Sequence, residues 1–100
     1  MNDKDLSMAE TNVWLEVEVT LQDATVRLFQ GDTCLESVLL DQPRELAERL
    51  LPVVDTLLSH HGIQPSEIRK FDVRSDLPEG YSSRRIAETV AQVWVAALKA

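Results

Sequence analysis

The stretch Pro43-Arg44-Glu45-Leu46-Ala47-Glu48-Arg49-Leu50-Leu51-Pro52-Val53-Val54-Asp55-Thr56-Leu57-Leu58-Ser59-His60-His61 decides how the rest of the chain is read. Leu46, Leu50, Val53, Val54, Leu57 and His61 recur at three- and four-residue steps, which sets them along one helical face, and Ala47, Leu51 and Leu58 widen that face. Part of so broad an arc can cover a sheet. The rest needs a second cover, either a neighbouring helix or another subunit. Asp41 or Gln42 caps the segment, and Pro43 suits the first helical position because its missing N–H would have been unpaired there anyway. Pro52 removes one backbone bond inside the helix and predicts a kink, although the apolar period continues on both sides of it. Gly62 ends the helix.

Upstream the period changes from 3.6 to 2. Residues 1 to about 12 are polar and aperiodic and read as a mobile arm, so the folded unit is expected over residues 13–100. From Trp14, the residues Leu15, Val17, Val19 and Leu21 alternate with Glu16, Glu18 and Thr20, the pattern of a strand with one apolar and one polar face. After Gln22-Asp23, Ala24 to Gln30 resumes the strand pattern, with Val26 and Leu28 on one side and Thr25, Arg27 and Phe29 on the other. Gly31-Asp32 supplies residue types that tolerate positive φ in a tight hairpin, and Thr33 to Leu40 forms a third strand. Downstream of Gly62, Gln64 to Glu67 reads as a turn or a short helical connection and Ile68 to Val73 as a fourth strand, parallel to its neighbour after the helical crossover. Arg74 to Ser83 is the most loop-like stretch. Ser82 or Ser83 then caps a last helix to about Lys99, with Ile86, Val90, Val93, Trp94 and Ala97 on one face and Ala87, Ala91, Val95 and Leu98 extending it. The expected fold is mixed α/β in the order β-β-β-α-β-α: an antiparallel three-strand meander, a parallel strand and two helices packed on the sheet.

Composition narrows the function. One hundred residues with 44% hydrophobic content suffice for one modest core. A formal charge of −7 and a pI near 4.7 weigh against binding nucleic acid or an anionic membrane, since both require a basic face. No stretch approaches the roughly twenty apolar residues of a membrane span, and the start lacks the basic and apolar runs of a signal peptide. The lone Cys34 forms no intramolecular disulfide or thiolate zinc site and is expected as a buried or half-buried strand residue, which fits a cytoplasmic protein.

Several side chains are weighed as sites. Glu16 and Glu18 share a strand face and could form an acid/base or metal pair, against the plainer reading of a solvated or partly covered polar face. His60-His61 lacks a second cluster of ligands and reads as an exposed pair at a helix C-terminus. Arg84-Arg85 beside Ser82-Ser83 has the composition of an anion site, against the plainer reading in which Arg85 bonds nearby carbonyls or an acid. Neither serine carries a nucleophile motif.

The element order, together with four local matches, resembles the N-terminal lobe of TsaB-like (YeaZ) proteins, ribonuclease H-like members of the actin-like ATPase superfamily that serve in tRNA threonylcarbamoyladenosine biosynthesis. The matches are the first hairpin at Trp14–Phe29, Arg44-Glu45-Leu46 with Leu51-Pro52, the loop Leu77-Pro78-Glu79-Gly80-Tyr81-Ser82-Ser83-Arg84-Arg85-Ile86, and Ala91-Gln92. The resemblance spans Trp14 to about Leu98 and implies a single ribonuclease H-like lobe. It also implies a degenerate nucleotide site at Glu18, Glu79 and Arg85. The superfamily's first-strand aspartate is matched by Glu18, Leu21 is apolar, and the family's loop glycines fall on Leu77, Glu79 and Ser83, which removes permissive backbone. No cofactor, metal or catalytic residue is expected.

What the resemblance implies is assembly through two helices, as a homodimer or with a TsaB- or TsaD-like protein. The interface candidates are Leu46, Leu50, Val53, Val54 and Leu57 on the first helix and Val90, Val93, Trp94 and Ala97 on the second. The alternatives are a monomer whose apolar residues all serve its own core, a nucleotide-binding or hydrolytic protein whose cleft forms on dimerisation, and a structural module unconnected with tRNA.

Overall fold

The computed structural model describes residues 12–41, 43–78 and 80–99. Four strands, β1 (Val13–Val19), β2 (Ala24–Gln30), β3 (Thr33–Leu40) and β4 (Phe71–Ser75), form one sheet in the order β3-β2-β1-β4. Helix α1 (Pro43–His60) connects β3 to β4, and α2 (Ser82–Lys99) follows β4. The meander β1–β2–β3 is antiparallel and β4 runs parallel to β1, as the element order predicts. Except for Asn12, the arm expected at the N-terminus lies outside the described residues, as do Gln42, Glu79 and Ala100.

Period-two patterning determines which face is buried. Leu15, Val17 and Val19 on β1, and Ala24, Val26 and Leu28 on β2, point to one side and are almost completely buried. Both helices cover that side, α1 over β2 and β3 and α2 over β4 and β1, and they touch each other. Leu46, Leu50, Val53, Val54, Leu57 and Leu58 of α1, with Ala87 and Ala91 of α2, complete a single core. Five of the residues expected at an intermolecular interface, Leu46, Leu50, Val53, Val54 and Leu57, therefore pack inside the chain's own core. The sheet needs the whole inner arc of α1 to seal it, and this leaves Leu51 as that helix's large exposed apolar side chain.

Several boundaries differ from the sequence reading. Strand β1 stops at Val19 because Thr20 closes a turn on itself: its Oγ1 accepts from the amides of Gln22 and Asp23 and donates to the Asp23 carboxylate, 2.7 Å away. Leu21, expected to extend the apolar face, is exposed there. Strand β4 begins at Phe71, not Ile68, because Pro65–Glu67 forms a 3₁₀ turn and the Ile68 amide bonds back to the Pro65 carbonyl. Ile68 is still fully buried, as a plug beneath α2, with its carbonyl accepting from Trp94 Nε1 at 3.1 Å. At the β2–β3 hairpin only Gly31 takes positive φ, so Asp32 does not need the left-handed conformation. A bulge follows in β3, where Leu28 pairs with Glu36 and Phe29 with Cys34. The extra residue, Leu35, packs against the core, and Cys34 is exposed, contrary to the expectation of a buried thiol.

Helix α1 runs on through Pro52 and ends in a Schellman motif. The Ile63 amide bonds to the Leu58 carbonyl and the Gly62 amide to the Ser59 carbonyl, with Gly62 at φ 65°. Gly62→Ala is expected to lower stability by about 1 kcal/mol through left-handed strain alone, since an added Cβ would meet nothing within 4 Å. Leu50→Ala should cost about 2–5 kcal/mol by emptying part of the core. Leu50→Asp should unfold the chain. Urea denaturation followed by far-UV circular dichroism checks all three.

Candidate functional site

On the outer side of the helix pair an apolar groove of about 520 Å³ runs between α1 and α2, lined by Leu51, Pro65, Ser66, Thr89, Val90, Val93, Trp94 and Ala97. Each lining element is there for a local reason. On α2, Val90, Val93 and Ala97 recur at helical spacing one step away from Ala87 and Ala91, which face the sheet. Val93 is 62% exposed and Leu51 is 52% exposed, an unusual state for aliphatic side chains that face each other across a groove. Trp94 forms the floor. Its ring lies 5.8 Å from that of Phe71 at a tilt of 54°, and its Nε1–H is bound to Ile68, so the indole presents a fixed apolar face. Among the second-helix interface candidates, the structure thus places Val90, Val93, Trp94 and Ala97 together on one surface.

The opposite face of the sheet is polar and internally paired. Arg27 Nη1 lies 2.9 Å from both Glu16 and Glu18, and Arg74 Nη1 lies 3.5 Å from the other oxygen of Glu16. Glu16 is buried to 5% exposure beneath these cations. The hydrogen bond to Glu18, with that to Glu16, raises the Arg27 pKa above its ordinary value against the effect of burial. Trp14 stacks on Phe29 with ring centroids 4.4 Å apart, and the Lys70 ammonium stands 4.2 Å from the Trp14 centroid. The two glutamates are thus members of a structural ion-pair row on a partly covered polar face, with Glu16 buried and Glu18 half exposed.

A polar hollow of about 380 Å³ opens at the C-terminal ends of β1 and β4, lined by Glu18, Val19, Thr20, Val73, Arg74, Ser75 and Asp76. The amide of Thr20 is bound to the Asp23 carbonyl, and those of Gln22 and Asp23 to Thr20 Oγ1, so these three donors are not aimed outward. Of the degenerate-site candidates, Glu18 borders the hollow, Glu79 lies outside the described residues, and Arg85 is exposed, its guanidinium unpaired among the described residues. The tethering role expected for Arg85 belongs instead to Arg84, which donates to the Leu77 carbonyl and pairs with Glu88 at 3.0 Å. The i,i+4 spacing of Arg84 and Glu88 was the available signal.

His60 and His61 converge on Glu36, where His61 Nε2 lies 2.9 Å and His60 Nδ1 3.3 Å from its carboxylate. The bulge makes this possible by leaving Glu36 on the helix side of β3. Hydrogen bonding from His61, then from His60, holds the Glu36 carboxyl below its ordinary pKa. No group of three or more metal-ligating side chains with metal-site geometry occurs among the described residues.

No protein-family model matches the chain, and no curated relative matches it. Solved structures do. YeaZ from Pseudomonas aeruginosa superposes with a TM-score of 0.73 over 88% of this chain at 29% identity. The fold is that of the N-terminal lobe of a YeaZ-like (TsaB-like) protein. A second structure, described as an uncharacterized protein with similarity to peptidase YeaZ from Pseudomonas aeruginosa, gives the same score, identity and coverage. The chain spans 40% of the length of each of these two matched chains. The mixed four-stranded sheet and helix pair thus match one half of the YeaZ-like fold.

A depressed carboxyl pKa stabilises the fold above the carboxyl's unfolded value, and the contribution is lost as pH falls through the folded value. Glu36→Gln should therefore melt below wild type near neutral pH, and the gap should close as pH drops through the lowered Glu36 titration. Thermal melts across pH 2–7 check the sign.

Proposed function

We propose that this chain is a TsaB-like interaction lobe in tRNA threonylcarbamoyladenosine modification, acting by assembly and without catalysis of its own. The observation that carries the reading is the exposed apolar groove between α1 and α2, with Trp94 fixed as its floor and Leu51 and Val93 as its walls. Packing this surface against the matching helices of a second copy, or of an actin-like paralogue of the TsaD kind, makes a four-helix contact with an indole at its centre. The non-catalytic part of the proposal is supported by the engaged amides of the Thr20–Asp23 turn and by the pairing of Glu18 with Arg27. The acidic balance of the chain argues that any role near tRNA runs through the partner. A cytoplasmic setting belongs to the same reading.

The test uses Val93, whose exposure means that a charge there leaves the core intact. Val93→Asp should weaken self-association, or capture of a purified TsaD-type protein, by about 10–100-fold while the circular dichroism spectrum is unchanged. Association equal to wild type in both assays would remove the groove as the interface. Stoichiometric ATP binding by the isolated chain would favour the nucleotide-binding alternative.

A further inference from the structure

The apolar groove between α1 and α2 has charged outer rims, and the two rims differ in sign. On α1, Glu48 lies three residues before Leu51 and Asp55 four after it, so both carboxylates flank that exposed wall residue on one helical face. Both are exposed, and neither has an ion-pair or hydrogen-bond partner among the described residues. On α2, Arg85 stands on the outer flank of the row that carries Thr89 and Val93, exposed and with its guanidinium unpaired among the described residues. Gln92 and Ala96 continue that flank without charge.

Helix direction orders these charges along the groove. Strands β3 and β4 run the same way as β1, and each helix returns across the sheet from one of them, so α1 and α2 point in the same direction. Leu51 and Val93 face each other across the groove. Glu48 and Arg85 therefore both stand towards its N-terminal end, and Asp55 stands towards its C-terminal end.

Resting on the groove as the interface, we infer that its occupant is a second copy of this chain, docked about a twofold axis parallel to the helices so that Glu48 of each copy pairs with Arg85 of the other. Two helix pairs meet face to face about a twofold axis in one of two ways. With the axis across the helices, α1 lies over α1 of the second copy in the reverse direction. Inversion about Leu51 then sets Glu48 beside Asp55 of the second copy, and like charges oppose each other on both sides of the axis. With the axis along the helices, α1 lies over α2 of the second copy in the same direction. Glu48 then meets Arg85, and Asp55 meets the uncharged flank at Gln92 and Ala96. The rim charges thus oppose one arrangement and close the other with two ion pairs, which is how exposed charges act on register and partner choice at an apolar contact.

Sedimentation over a dilution series reads the dimer, and cysteine cross-linking reads its register. Arg85→Glu should raise the dissociation constant about tenfold, because two attractive contacts become repulsive, and Glu48→Arg with Arg85→Glu should restore it to within about threefold. In a Cys34→Ser background, which removes the exposed native thiol, a mixture of Glu48→Cys and Arg85→Cys chains should oxidise to a linked dimer. A mixture of Glu48→Cys and Asp55→Cys chains should not. All of these positions are exposed, so the core is untouched. A monomer at every concentration, a dimer indifferent to Arg85→Glu, or linkage of position 48 to 55 in place of 85 would each overturn the inference. A monomer that still captures a purified TsaD-type protein overturns it while the groove stands as the interface with another occupant, whereas a dimer that survives Val93→Asp removes the groove as well.

Discussion

Both helices lie on the same face of one small sheet, and most of the structure follows from that constraint. A four-stranded sheet with alternating side chains has one face to bury, and α1 and α2 divide it between them, α1 over β2 and β3 and α2 over β4 and β1. Two helices side by side on a sheet must also touch each other, so each needs apolar residues on a flank as well as below. This is why the apolar arcs in the sequence are wider than one contact requires. It is also why part of each arc, Leu51 on one helix and Val93 on the other, emerges on the outer surface beside a gap that neither helix fills.

The uncovered face obeys a different rule. Glu16 lies mid-sheet among larger neighbours and is almost excluded from water, so its charge must be met by Arg27 and Arg74. The aromatic pair Trp14–Phe29 and the cation over it cover the sheet's other end, with Trp14 Nε1 bound to the Gly31 carbonyl. A polar face built this way needs no helix above it. It also lines up alternating charge from Arg27 on β2 through Glu16 on β1 to Arg74 on β4.

Resemblance to half of a YeaZ-like protein gives these two surfaces a setting. The hollow around Glu18, Thr20 and Asp76 opens at the strand ends. The turn beside that hollow uses its amides to hold its own threonine, which makes it a rigid connection rather than a cradle. The chain's exposed apolar groove lies elsewhere, along the helices, and it is the surface on which the proposed assembly rests.

Period and punctuation were enough to place the elements. Alternation along β1 and β2, the 3.6-residue recurrence from Leu46 to Leu57, Pro43 at a helix start and Gly62 at a helix end are local backbone and hydration effects that any one segment expresses by itself. The element order, with four local matches, carried the resemblance to a YeaZ-like lobe. Three things depended on segments far apart in sequence and were settled only in the folded chain. The bulge at Leu28/Phe29 shifted Glu36 beneath His60 and His61. Arg84, not its neighbour Arg85, reached the loop carbonyl. Above all, Leu46, Leu50, Val53, Val54 and Leu57 went to the core while Leu51 and Val93 stayed outside. A helical period reveals that a face is apolar, but the direction from which the sheet approaches decides which part of that face is covered, and that direction is a property of the whole packed chain.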